Sequence, residues 1–234
     1  MKERLTIGIV GGMSPESTVT YYQHIVRRHQ AEFQDHSYPR IIIVSVSFQK
    51  YIDWQHGGDW DRIGRELEIE FQKAASAGAD FALLATNTMH KVLPSVKSPI
   101  PVLSILDAVG AFAVKRGIRS LGLTGTKFTM SAGFYAEGLV RQGLGVLTPP
   151  APDQETIHRI IYDELISGKV NHSSVEYFDE IAQRLLGRGA EAILLGCTEL
   201  ELLVRGLRNK ASFLDSTRIH ADAAWEIATG KASL

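Results

Sequence analysis

The sequence predicts an α/β protein made of two pseudo-symmetric parallel-sheet α/β/α domains from a duplicated unit, with an active site in the cleft between them. Two observations carry this. Short apolar runs alternate with longer amphipathic stretches along the whole chain, the pattern of strands joined by crossover helices in sheets covered on both faces. The chain also matches itself. "GADFALLATNT" (78–88) lies over "GAEAILLGCTE" (189–199) without a gap, and "IGIVGG" (7–12) lies over "LGLTGT" (121–126), at the nearly equal offsets of 111 and 114 residues. Nearly equal offsets mark duplication of one structural unit.

Taken in order, "LTIGIV" (5–10) reads as the first strand, followed by a glycine turn. Ser14, Pro15 and Glu16 then read as an N-cap, a proline at the first helical position and an acid favourable to the helix dipole. The following stretch, "ESTVTYYQHIVRRHQAEF", carries apolar residues at spacings of three and four and reads as a helix, as does "WDRIGRELEIEFQKAASAG". "RIIIVSVSF" (40–48), "FALLAT" (81–86), "VLSIL" (102–106), "SLGLTG" (120–125) and "AILLG" (192–196) read as the remaining strands. "YIDWQHGGDW", which contains Gln55, reads as a loop from its glycines. Near the end, "DSTRIHADAAWEIATG" has Ser216 as an N-cap before a helical pattern. The first domain is therefore expected over 1–107 together with 208–234, its last helix returning to it, and the second over 108–207.

Composition narrows the function. Formal net charge is −1, with no basic patch suited to phosphate backbones, so no nucleic-acid partner is expected. The single cysteine rules out an internal disulfide framework and fits a reducing compartment. No apolar run approaches membrane-spanning length and no leader is evident, so a cytoplasmic protein with no membrane partner is expected.

In parallel α/β sheets, ligands bind outside the carboxyl ends of the strands. Two facing units would place there the glycine turns around Gly11–Gly12 and Gly125–Thr126, and the matched strand ends Thr86-Asn87-Thr88 and Cys197-Thr198-Glu199. Under the internal match Thr86 is the counterpart of Cys197, so the thiol is expected to face a hydroxyl. A cysteine at a strand's end before a helix sits near backbone N–H groups, which lower its pKa and favour thiolate. Asn87, Thr88, Thr126 and Thr198, with the Gly11–Gly12 amides, are donors suited to a carboxylate and to the charge that develops when a proton leaves the adjacent carbon. Glu199 suits an ammonium group. Lys169, after Gly168 in an expected loop, reads either as a solvated lysine or as one that reaches a distal carboxylate. Thr86-Asn87-Thr88 also suits capping of the next helix, and His90 reads as a structural residue one turn on. "GIVGG" lacks the G-x-G-x-x-G spacing of a dinucleotide loop, no Walker-type lysine follows it, and no histidine stands beside Cys197 in sequence. No metal-ligand cluster is evident.

"IGIVGGMSPESTVTYY", "ATNTMHKV", "LTGTKFTM" and "LLGCTELELLV" together resemble the aspartate/glutamate racemase family, closest to its bacterial amino-acid racemase branch, over about residues 5 to 230. The resemblance implies an amino-acid substrate, no pyridoxal phosphate or other cofactor, a site between two α/β domains and a homodimer. It implies two groups on opposite faces of the substrate α-carbon, each a cysteine in most members; this sequence keeps Cys197 but has Thr86 where the other would stand. Members that pair threonine with cysteine are known in the branch. By resemblance, Met13, Gln55, Thr86, Asn87, Thr88, Thr198 and Glu199 contact substrate, as does Lys169. A threonine hydroxyl is a poor base near neutral pH, so one direction is expected to run much faster, the branch implying preference for the L enantiomer. Two alternatives stay open: a single-cysteine decarboxylase of the arylmalonate type, and a non-catalytic amino-acid-binding relative.

Overall fold

The computed structural model describes residues 5–207 and 212–234. The chain divides into two compact units, one ending at Ala108 and resumed by Thr217–Leu234, the other spanning Val109–Ser216.

In the first unit the elements run β1 (Ile7–Gly11), α1 (Pro15–Phe33), β2 (Ile41–Ser45), α2 (Phe48–His56), α3 (Trp60–Ser76), β3 (Phe81–Leu84), β4 (Val102–Leu103) and α4 (Ile105–Lys115), which leads into the second unit. The sheet order is β2-β1-β3-β4, all parallel. Side chains alternate across a strand, and both faces here are apolar. Ile7, Ile9, Phe81 and Leu83 pack with Tyr21 and Ile25 of α1 and with Trp225. Val10, Ala82 and Leu84 pack on the other face with Tyr51, Leu67 and Phe71. That two-sided burial is why β1 and β3 read as continuous apolar runs.

The second unit continues with β5 (Ser120–Gly125), α5 (Lys127–Ser131), α6 (Phe134–Val140), β6 (Gly145–Leu147), α7 (Ala151–Asp163), α8 (His172–Gly187), β7 (Ala192–Gly196), α9 (Glu201–Val204) and β8 (Phe213–Asp215); α10 (Ser216–Ala228) returns the chain to the first unit. The sheet order β6-β5-β7-β8, again parallel, repeats the first. Ile193 and Leu195 pack against Phe178, Ile181 and Leu185 of α8 and Ile157 and Ile161 of α7.

The sequence repeat has a physical basis. Gly78 and Gly189 end the helices before β3 and β7 with φ of 96° and 101°, a region glycine enters without steric cost. Two residues on, the Asp80 carboxylate accepts from the Thr6 amide at 2.6 Å and the Glu191 carboxylate from the Arg119 amide at 2.6 Å. The Asp80 and Glu191 amides in turn donate to the Thr6 and Ser120 carbonyls. Each unit thus fixes the start of its two central strands with the same glycine-acid latch.

Four readings of the sequence need correction. Gln55 lies not in a loop but on α2; the glycines at 57 and 58 only separate it from α3, whose N-cap Asp59 accepts from the Arg62 amide. "VLSIL" yields a two-residue strand, because Ile105, Ala108 and Val109 already fall at helical spacing and bury along α4. Strands β6 and β8, three residues each, are too short to show an alternation. The expected return of the chain at 208 falls outside the described residues, but Phe213–Asp215 pairs with β7, so this segment belongs to the second sheet and the return comes at Thr217. Ser216, the expected cap, sends its hydroxyl to the Leu195 carbonyl of β7 at 2.7 Å.

The residue before the cysteine is sterically dictated. A Cβ on Gly196 would stand 2.7 Å from the Thr124 carbonyl oxygen and 2.9 Å from Thr129 Cγ2. Gly196→Ala should therefore destabilise the fold by about 1–3 kcal/mol, the usual cost of overpacking, read as a lower midpoint in denaturant unfolding. An unchanged midpoint would show that β5 and β7 can part at no cost.

Candidate functional site

The carboxyl ends of the central strands carry the sequence-predicted residues of each unit. In the first unit β1 runs into Gly12-Met13-Ser14. Ser14 caps α1 by accepting from the Ser17 amide, with Pro15 in the first turn. The Gly12 amide, expected as a carboxylate donor, is already bonded to Thr18 Oγ1 at 2.8 Å; it serves the turn. Met13 is buried in the core face with Val10, Tyr51 and Met89, and Gln55 is buried on α2. Beyond β3, Thr86 is half-buried, Asn87 is buried and Thr88 opens a 3₁₀ turn over Thr88–Lys91. Asn87 holds the N-cap position but makes no side-chain cap bond, so the expected capping role is not what its side chain does.

His90, on that turn, is tied at both ring nitrogens. Nδ1 lies 2.7 Å from the Thr86 carbonyl oxygen, and Nε2 accepts from the Ile105 amide at 3.0 Å. One neutral tautomer satisfies both bonds, with Nδ1–H donating. His220 is buried beside it, ring centroids 5.8 Å apart, with Nε2 on the Leu103 carbonyl at 3.0 Å and Nδ1 on the Tyr21 hydroxyl at 2.8 Å. Burial pushes His90 down to about 4. Burial, and then the charge of His90, push His220 down to about 3.

An unfolded chain binds a proton at His90 near pH 6.5, whereas the folded chain does so only near 4. Between those values the unfolded state holds more protons, so stability falls as pH drops through this window and is complete above it. The His90 share is about 3 kcal/mol. His90→Gln should flatten the stability-against-pH slope between pH 6.5 and 4 in denaturant titrations, whatever it does to the level at pH 7. A slope unchanged from wild type would contradict the buried neutral imidazole.

In the second unit, Thr126 caps α5, its hydroxyl accepting from the Thr129 amide at 3.3 Å. Cys197 follows β7 in extended conformation, half-buried, and packs against the apolar cluster of α7 and α8. Its thiol donates to Glu199 Oε2 at 2.9 Å, and the Thr198 hydroxyl donates to the same oxygen at 2.8 Å. The thiolate expectation is overturned here. Burial first, and then the Glu199 carboxylate, hold the Cys197 thiol well above the ordinary thiol range. The following helical segments are one short turn each, too short to supply a strong dipole. Lys169 is exposed after Gly168, its amide bonded to the Glu164 carbonyl.

Two groups were not found by sequence reasoning. One is Tyr162 of α7, which packs with Cys197 against the same apolar cluster; burial, and then Cys197 and Glu199, push its phenol up. The other is the His220 arm of the imidazole pair, 130 residues from its partner in sequence, for which no local signal existed. Among the described residues no cluster of three His, Cys, Asp or Glu could hold a metal, and no helix is long and apolar enough to cross a membrane.

Residues 10–224 match the Asp/Glu/Hydantoin racemase family. The chain belongs to that family. Among solved structures similar to this racemase-family chain, one described as a candidate Asp/Glu racemase from Yersinia pestis is 35% identical, with TM-score 0.89 over 96% of this chain and 99% of that one. An aspartate racemase homologue from Pyrococcus horikoshii OT3 is 34% identical, with TM-score 0.81 over 98% and 100%. Glutamate racemase of Aquifex aeolicus is 25% identical over 187 residues, 73% of this chain and 71% of that protein. The two-unit racemase fold is thus shown over nearly the whole chain.

Proposed function

We propose that the protein is a cofactor-independent racemase of aspartate, glutamate or a related amino acid, with Cys197 and Thr86 as the opposing groups at the substrate α-carbon, one from each unit. The observation that supports this most is their equivalence. Thr86 lies just beyond β3 and Cys197 just beyond β7, the strands that hold the same place in two identically ordered parallel sheets, within a family of racemases.

The resting cysteine is a thiol bonded to a carboxylate. Making the base requires moving one proton from Sγ to Glu199, breaking S–H and forming O–H. The thiolate then removes the α-proton and becomes a thiol again, and the electron pair passes into the substrate carboxylate. Donors at Asn87 and Thr88 stabilise the charge that develops there, while the Thr198 hydroxyl, also a proposed substrate contact, is bonded to Glu199 until substrate binds. Met13, Gln55, Thr126 and Lys169 complete the proposed substrate contacts, although Met13 and Thr126 have packing and capping work of their own.

Delivery of a proton from the Thr86 side inverts the centre; return from the Cys197 side, after the thiol has exchanged with solvent, labels the substrate without inverting it. The two enantiomers have equal free energy, so kcat/KM for complete inversion is the same from either end, and the expectation that one direction runs much faster cannot apply to net inversion. The asymmetry of a threonine–cysteine pair therefore lies in exchange: the enantiomer whose α-hydrogen faces Cys197, L in this reading, should exchange faster than it inverts.

Chiral chromatography of each enantiomer of aspartate and glutamate incubated with the protein should show interconversion without added pyridoxal phosphate. One methylene separates the two substrates and is worth only about 1–3 kcal/mol in discrimination, so both belong in the assay. Loss of carbon dioxide from a malonate without any interconversion would instead place the chain with the decarboxylases.

A further inference from the structure

The substrate-facing role of Thr86 leaves a question of how a loop residue is held still. Threonine has no ring or long stem to pack; its hydroxyl goes where its backbone goes. The Thr86 amide donates to the Leu84 carbonyl at 2.9 Å, and its carbonyl accepts from His90 Nδ1 at 2.7 Å. The other nitrogen of the same ring accepts from the Ile105 amide at 3.0 Å, in the first residue of α4. Two residues earlier, the Leu103 carbonyl at the end of β4 accepts from His220, whose second nitrogen meets Tyr21 on α1. His90 and His220 are 2% and 0% exposed. The corner between β4 and α4 is thus held from two sides by buried rings, each hydrogen-bonded at both nitrogens.

We propose that His90 is a positioning residue for the reaction: by clamping the Thr86 carbonyl to the Ile105 amide, it holds the Thr86 hydroxyl where a proton must be delivered. The inference rests on the racemase reading above. It separates His90 from a residue that merely fills the core, because the clamp acts on one face of the substrate only. Removal of the α-proton belongs to Cys197, in the other unit, and does not pass through His90.

The test is the ratio of α-deuterium exchange to inversion for L-aspartate and L-glutamate in heavy water. His90→Leu removes both hydrogen bonds. Inversion should fall about tenfold to a hundredfold, the scale of a misplaced catalytic group, while exchange stays within about threefold of wild type. His90→Gln offers one acceptor and one donor at nearly the imidazole spacing, and should restore the wild-type ratio. His90→Met fills similar volume without a polar donor and replaces the leucine variant if that one does not fold. An unchanged ratio in a folded leucine or methionine variant, or no recovery with glutamine, overturns the positioning role and leaves the racemase reading standing. Absence of exchange in the wild type overturns the racemase reading, and this role with it.

Discussion

Cys197→Ala should abolish α-proton exchange of the favoured enantiomer, lowering it by at least 10²-fold and up to about 10⁴-fold, the range a positioned acid or base contributes. The expected loss is in chemistry, not in folding. The thiol is half-buried at the end of β7, with alternate residues of the strand, Ile193 and Leu195, seated in the apolar cluster. Alanine there removes one sulfur from the edge of that cluster, so the unfolding midpoint should move far less than for Gly196→Ala. Proton NMR of the substrate α-signal in heavy water reads the effect directly. Exchange that persists in Cys197→Ala would show that another base serves the site.

Thr86→Cys should act in the opposite sense. A hydroxyl of ordinary acidity cannot serve as base near neutral pH, whereas a thiol can, and matching a group's pKa to working pH is worth about 10²–10⁴-fold. The substitution should raise the rate of inversion and bring exchange of the D enantiomer up towards that of the L. The half-buried position of Thr86 after β3 accepts a sulfur of similar volume, and the His90 clamp on its carbonyl does not depend on the side chain. Exchange of both enantiomers, followed separately, measures the outcome. If Thr86→Cys leaves D-enantiomer exchange undetectable while Cys197 remains active, position 86 does not face the α-carbon.

Much of the fold was legible because burial on both faces turns a parallel strand into an unbroken apolar run. β1, β3, β5 and β7 are the central strands of the two sheets, and each stood out for that reason. The duplication was legible through Gly78-Ala79-Asp80 and Gly189-Ala190-Glu191, where a left-handed turn and an acid that caps the neighbouring strand's first amide leave little choice of residue. Edge strands β6 and β8 were not, since three residues contain no period.

At the strand ends, local reasoning placed Cys197, Thr198 and Glu199 together but misjudged the thiol. Whether such a thiol ionises depends on where the carboxylate two residues away points, and it points back at the sulfur. A chain-local argument from strand end and helix start has no access to that orientation. Gln55 was misread because Gly57 and Gly58 punctuate the end of a helix as readily as they mark a loop. His90 read as structural, but its partners Ile105 and His220 come from later in the chain and carry no signal near residue 90.

The most direct measurement of the central claim is deuterium wash-in at the α-carbon of the separate L and D enantiomers of aspartate and glutamate, with wild-type protein in heavy water. The account predicts α-deuterium in recovered L substrate sooner than D product forms, and deuterium in all of the D product. If neither enantiomer of either amino acid acquires α-deuterium, the pairing of Cys197 with Thr86 at one α-carbon is contradicted.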